Sequence, residues 1–207
     1  RVNWFSTYRV HHRVADAFRR GRVFLLGDAA HIHSPAGGQG MNTGILDAIN
    51  LAWKLADVSK GRASDVLLDS YAIERIAFAR TLVNTTDRAF TLVTSETRLA
   101  DFIKTHVAPR LVALAYRFRG LGRMLFETVS QTTVDYRASP VSAGQAGEVR
   151  GGDRLPWVDA GEDNFAAMPA MGWELHVYAT VPAALSAWCD ARAVALRAFP
   201  WTTAHRD

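Results

Sequence analysis

Cysteine is almost missing from this chain: Cys189 stands alone among 207 residues. A lone thiol excludes an internal disulfide, a CxxC redox pair and a cysteine-built metal cluster. Lysine is nearly as scarce. Of 24 basic residues only Lys54, Lys60 and Lys104 are lysines, and no arginine run exceeds Arg19-Arg20. With a formal net charge of +4, no basic stripe and no aromatic RNA-binding motif, a nucleic-acid partner is not expected. No apolar run reaches the length that spans a bilayer, and no secretory pattern opens the sequence, so the expectation is a cytoplasmic protein without a membrane partner. The GxGxxG dinucleotide fingerprint is also absent. What remains, 49% hydrophobic and 21% charged residues, is the composition of a globular protein with one large or two small domains.

The most informative stretch runs from Gly21 to Ala56. Arg22 to Leu26 is a short β-rich apolar run and reads as a buried strand. Gly27-Asp28 ends it. Pro35, Gly37, Gly38 and Gly40 then make a loop with few side chains. Asn42 or Thr43 can cap a following helix whose apolar stripe is Leu46, Ile49, Trp53 and Ala56, with Gly61 just past its end. A carboxylate at a strand edge can accept hydrogen bonds from a polyol. Bare backbone lets a planar or anionic group come close, and a helix N-terminus adds free N–H donors and partial positive charge. The arrangement suits a ligand with both a polyol and an anion-forming ring or phosphate. The same strand–turn–helix pattern also serves as a plain structural turn in many α/β proteins, and the spacing alone leaves both readings open.

The stretch resembles the second flavin-contacting motif of the FAD-dependent aromatic hydroxylases, the single-component flavoprotein monooxygenases of the phenol hydroxylase and p-hydroxybenzoate hydroxylase type. Gly27-Asp28, Ala29-Ala30-His31, Pro35, the Gly38-Gln39-Gly40-Met41-Asn42 loop and the Asp47-Ala48-x-Asn50-Leu51-Ala52-Trp53-Lys54-Leu55 helix carry the resemblance. It implies that Asp28, after Gly27, bonds the flavin ribitol. It also implies that the backbone of Pro35 and of Gly38, Gln39, Gly40, Met41 and Asn42 lies along the flavin pyrimidine edge, stabilising negative charge there. His31, by the same resemblance, helps hold the loop. The implied activity is NAD(P)H-dependent monooxygenation: the flavin is reduced, O₂ adds at C4a, and the hydroperoxide hydroxylates a small aromatic or phenolic substrate. No residue emerges as a catalytic acid or base. Other flavin enzymes (an epoxidase, halogenase or reductase) and a non-catalytic flavin module used for assembly are the alternatives.

The rest of the chain is read in order. Val2 to Val10 alternates as a half-buried strand, on which Tyr8 or Arg9 could face a ligand, although an ordinary sheet role is the stronger reading. Val14 to Phe18 reads as a short helical turn. His31 and His33, with Asp28, could be imagined around a metal, but no further ligand completes the set, so no metal is expected. A second helix starts near Ser64 or Asp65 with the stripe Leu68, Ala72, Ile76, Ala79 and Val83. On it, Tyr71-x-x-Glu74-Arg75 echoes a family pattern and reads either as an ion pair bracing the flavin domain or as a solvated surface pair. Residues 97–131 stay helical, interrupted at Pro109 and Gly120-Leu121-Gly122; in the family such helices often support a homodimer. Residues 136–156 are rich in Gly, Ser and Pro and read as a linker. Beyond them Trp173–Ala179, Pro182–Ala191 and Val194–Phe199 read as strand, helix and strand, with Cys189 as a packing residue.

The expected fold is therefore α/β (α+β). The resemblance implies the second half of a FAD-binding domain of the glutathione-reductase-like hydroxylase type at 1–135, a linker at 136–156, and an incomplete thioredoxin-like βαβ domain at 157–207. It further implies that the chain is the C-terminal portion of such an enzyme. The GxGxxG half would then be supplied elsewhere in the polypeptide, and this portion would be inactive by itself.

Overall fold

The computed structural model describes residues 3–7, 11–33, 38–117, 120, 122–123, 126–127, 130–132, 134–157, 163–166 and 172–199. The chain divides into two compact units, Arg1–Arg154 and Leu155–Asp207. The division falls inside the interval read as a linker, at its C-terminal end.

The first unit begins with two nested hairpins. β1 (Arg13–Val14) pairs antiparallel with β4 (His31–Ile32), and β2 (Arg19–Arg20) pairs antiparallel with β3 (Val23–Phe24) inside it. Gly21 makes the inner turn at φ +61°, a left-handed conformation that favours glycine. Two expectations change here. Residues 14–18 form no helical turn, because Val14 is in a strand and the Ala15 N–H donates to the Ala30 carbonyl at 2.8 Å. Five residues cannot repay helix nucleation alone, and pairing with the distant His31 wins. The run 22–26 is a hairpin arm rather than a buried strand, with Val23 65% exposed. Residues 3–7 are exposed and carry no strand; Val2, Tyr8, Arg9 and Val10 lie outside the described residues.

Beyond a 3₁₀ turn at Gly27–Ala29 come two long helices, α1 (Gly40–Ser59) and α2 (Leu67–Thr94). α1 starts at Gly40, with Gln39 in the cap position and no side-chain cap bond, so neither Asn42 nor Thr43 is the cap. Its end is as expected: Gly61 follows at φ +68° and its N–H donates to the Val58 carbonyl. α2 buries Leu68, Ala79 and Val83, with Ala72 and Ile76 half-buried, as its periodicity predicts. The apolar core gathers Phe18 and Ala30 of the hairpins, Leu51 of α1, and Leu68, Tyr71 and Ala79 of α2. Arg19 clamps hairpin to helix by pairing with Asp65 and Asp69 at the start of α2, where acidic residues are favoured.

α3 (Arg98–Phe102), a π-helical turn (Ile103–Val107) and α4 (Ala108–Arg117) follow as one helical run. Pro109 lacks the N–H that an α-helical bond would need, and the π turn absorbs the defect just before it. Of the rest of the stretch expected to be helical, Phe118, Leu121 and Leu125 lie outside the described residues. Residues 136–154 fold onto the first unit instead of running free. β5 (Gln145–Ala146) and β6 (Val149–Arg150) form a hairpin, and the Tyr136 N–H donates to the Gly152 carbonyl at 2.7 Å. A Cβ at Gly152 would lie 2.4 Å from the Tyr136 carbonyl carbon, so glycine is what permits that contact.

In the second unit β7 (Glu174–Val177) and β8 (Ala195–Ala198) pair in parallel, joined by α5 (Ala183–Arg192). This is the strand–helix–strand order expected. Ala193 ends α5 in the left-handed conformation, φ +52°. Cys189 is 1% exposed and packs inside.

Candidate functional site

The Gly27–Ala29 turn lies against the first turns of α1. Gly27 takes φ +56°, and Gly44 faces it so closely that a Cβ on Gly44 would stand 3.4 Å from the Gly27 Cα. Two glycines thus bring the turn within reach of the helix backbone. Asp28, one residue on, is exposed. Gly38 has φ +64° and open space where a Cβ would be; Met41 is 76% exposed and Asn42 is exposed. Bonding in α1 begins with the Thr43 N–H to the Gln39 carbonyl, at 3.0 Å, so Gly40, Met41 and Asn42 form its open amide end. An exposed carboxylate, an exposed glycine and a helix N-terminus therefore sit together on the surface of the first unit. Gln39 and Gly40 differ from their neighbours: Gln39 is buried, and Gly40 lies against His33, whose Nε2 would be 3.4 Å from a Cβ there. Pro35 lies outside the described residues.

Beneath this surface lies a buried network of charges. The Gly27 N–H donates to Asp47 Oδ2 at 3.0 Å, and His31 Nε2 meets the same oxygen at 2.8 Å. Arg75 Nε donates to Asp47 Oδ1 at 2.6 Å, Nη2 to the Thr43 carbonyl at 3.3 Å, and Nη1 to the Tyr136 hydroxyl at 3.1 Å. One helical turn further along, Lys54 Nζ and Asn50 Nδ2 each donate to Glu74 Oε2 at 2.6 Å, and the Ser139 hydroxyl donates to Glu74 Oε1 at 2.6 Å. Asp47, Lys54 and Arg75 are 1% exposed or less. Glu74 and Arg75 are thus neither a surface pair nor partners of each other. Each braces α2 against α1 through its own counter-ion.

The electrostatics follow from this geometry. Burial by itself would raise the Asp47 carboxyl, but the His31 hydrogen bond, the Arg75 charge and bond, and the Gly27 N–H together hold it below the ordinary 3.8. Asp47 is therefore ionised, and His31 presents Nε2–H to it. Burial pushes Lys54 below its ordinary value, despite the bond and charge of Glu74 and helped by the Arg75 charge. Tyr71 is pushed upward by burial and by the Asp47 charge, and its hydroxyl donates to the Leu25 carbonyl at 2.7 Å. Among the described residues no group of three His, Cys, Asp or Glu could hold a metal ion, and no helix is long and apolar enough to cross a membrane.

Asp47, Asn50 and Lys54 went unassigned in the sequence, yet a signal was present. They recur at intervals of three and four on one helix face, opposite a helix bearing Glu74 and Arg75. The stripe expected to be buried is not the buried one: Ile49 is 45% exposed while Thr43, Asp47, Asn50, Leu51, Lys54 and Asp57 face inward.

Comparison with known proteins bears on this surface. Residues 1–86 match the family described as FAD binding domain. The chain is 43% identical over 141 residues to the 6-methylpretetramide 4-monooxygenase of Streptomyces rimosus, covering 68% of this chain and 25% of that protein. This chain is a relative of the FAD-dependent aromatic hydroxylases. It is also 39% identical over 155 residues to the pentachlorophenol 4-monooxygenase of Sphingobium chlorophenolicum, covering 74% of this chain and 27% of that one. Over a shorter span of 74 residues (36% of this chain, 14% of the relative) it is 65% identical to the tetracenomycin B2 monooxygenase-dioxygenase of Streptomyces olivaceus. Among solved structures, CabE, an aromatic hydroxylase from angucycline biosynthesis, superposes with a TM-score of 0.71 at 30% identity over 93% of this chain and 38% of that one. The chain thus spans about a quarter of the length of the first two hydroxylase relatives, 25% and 27%.

The residues present fit a flavin nucleotide. An exposed carboxylate beside Gly27 can accept from ribityl hydroxyls, Gly38 puts no side chain in the way of an approaching group, and the open amides of α1 suit the electron-rich side of the ring.

Proposed function

We propose that the first unit grips the isoalloxazine end of FAD and serves an NAD(P)H- and O₂-dependent monooxygenase that hydroxylates a polycyclic phenol. The observation that carries this reading is the juxtaposition of exposed Asp28, open Gly38 and the free amide end of α1, on a unit that matches an FAD-binding domain. The bound flavin supplies the oxygen chemistry. The chain's own residues do the rest. Asp28 fixes the polyol, and the amides of Gly40, Met41 and Asn42 favour negative charge on the ring edge. The buried network keeps both in place. The polycyclic substrate class rests on relatives named for 6-methylpretetramide and tetracenomycin B2, and on a solved neighbour from angucycline biosynthesis. The parallel βαβ of the second unit is compatible with a thioredoxin-like domain, one without a CxxC pair.

The test is to supply the intact protein with FAD, NAD(P)H, isotopically heavy O₂ and a panel of monocyclic and polycyclic phenols. The expected result is one heavy oxygen atom in the product of a polycyclic phenol. Cofactor consumption with no label in any product would refute hydroxylation, and labelling of monocyclic phenols alone would refute the substrate class.

A further inference from the structure

The proposed flavin surface has two parts on separate pieces of chain: the Gly27–Asp28 turn and the first turn of α1. Both are tied to one buried ion pair. Asp47 Oδ2 accepts from the Gly27 N–H at 3.0 Å, immediately before Asp28, and meets His31 Nε2 at 2.8 Å, three residues after it. Asp47 Oδ1 takes Arg75 Nε at 2.6 Å, and the same guanidinium reaches the Thr43 carbonyl at 3.3 Å through Nη2. Thr43 in turn supplies the first backbone bond of α1, to Gln39. Asp47 and Arg75 are 1% and 0% exposed, so neither reaches the surface where a flavin would lie.

Resting on the flavin reading above, we infer that Asp47 and Arg75 are positioning residues. Their ion pair sets the spacing between the Asp28 carboxylate and the amide end of α1, and so tunes FAD affinity without touching FAD. Charged hydrogen bonds suit this task because they are stronger and more directional than neutral ones. The Asp47 bonds fall on both sides of Asp28, which pins the turn rather than merely tethering it.

The pair predicts a coupling that a general packing role does not. If Asp47 acts through Asp28, its loss should matter little once Asp28 is gone. The experiment uses the intact protein and FAD as probe, titrated by flavin fluorescence, in four forms: wild type, Asp28→Ala, Asp47→Asn/Arg75→Gln, and all three changes together. The double change removes both charges at once, so that neither is left buried alone. The expected result is at least a tenfold weaker Kd for the double variant. The triple variant should be within about threefold of Asp28→Ala, since coupled sites are not additive. Bound FAD in the double variant should also lose the resolved shoulder of its visible band, a sign of a looser ring environment. An unchanged Kd, or a triple variant weakened by the product of the separate effects, overturns the inference. Should the double variant fail to fold by circular dichroism, Asp47→Glu replaces it. That variant keeps the counter-charge to Arg75 but moves the acceptor off the Gly27 N–H, and the same two criteria apply. If Asp28→Ala itself leaves Kd unchanged, the flavin reading fails, and the positioning role falls with it; if only Asp28→Ala weakens binding, the positioning role alone fails.

Discussion

The helices α1 and α2 pack side by side, yet they bury opposite kinds of surface. α2 turns Leu68, Ala79 and Val83 inward, as an amphipathic helix should, and adds Glu74 and Arg75 at one level. α1 turns Thr43, Asp47, Asn50 and Lys54 inward and leaves Met41, Ile45, Ile49 and Leu55 exposed, at 76%, 49%, 45% and 39%. The lesson is that the polar groups of α1 are not failures of burial but one half of a matched set. Asp47 and Lys54 on α1 each meet an opposite charge on α2, and the buried Asp57 is paired by Arg62 just past the end of α1. The remaining hydrogen-bonding capacity of the Asp47–Arg75 and Lys54–Glu74 pairs goes to Gly27, His31, Tyr136 and Ser139.

If the set is matched, breaking one member should hurt more than removing a pair. Glu74→Met leaves Lys54 buried without its counter-charge, at a cost of about 3–5 kcal/mol in urea denaturation. Adding Lys54→Met should recover part of that loss, because no unpaired charge then remains. A double variant less stable than the single would break the comparison. On the α2 side, Leu68→Ala should cost about 2–3 kcal/mol, an ordinary cavity penalty with no rescue from any charge change.

Acid should separate the two kinds of burial more gently. The folded Asp47 carboxyl sits below its ordinary 3.8, so its contribution is complete above that value and drains away as pH falls through the lower folded one. Urea midpoints measured from about pH 6 to about pH 2 should decline, and the decline should be shallower in Asp47→Asn/Arg75→Gln. Equal slopes in the two proteins would show that Asp47 is not a source of the acid sensitivity. The smallest effect belongs to the exposed face of α1: Ile49→Gln should change the stability of this chain by no more than about 0.5 kcal/mol.

These contrasts also explain what could be read in the sequence. The α2 stripe, the Gly61 stop and the parallel strand–helix–strand of the second unit were legible because each follows from local periodicity or from one residue's backbone freedom. The Gly27-Asp28 turn and the Gly38–Asn42 helix start were legible as motif, and Asp28, Gly38, Met41 and Asn42 are each exposed, while Gln39 is buried. The buried face of α1 was not, since hydrophobic periodicity assigns apolar residues to the interior and the partners that solvate Asp47 and Lys54 lie 28 and 20 residues away. Val14 was misread for a similar reason: its partner, His31, is distant in sequence. Residues 136–154 looked like a linker because glycine and serine are common there, but Gly152 permits a close backbone contact and Ser139 caps a buried glutamate.

The account stands on the surface formed by Asp28 and the start of α1, and a crystal structure of the intact protein with FAD tests it most directly. The prediction is flavin density with a ribityl hydroxyl bonded to the Asp28 carboxylate and the pyrimidine edge against the amides of Gly40, Met41 and Asn42. Flavin density elsewhere, with Asp28 left in solvent, would contradict it.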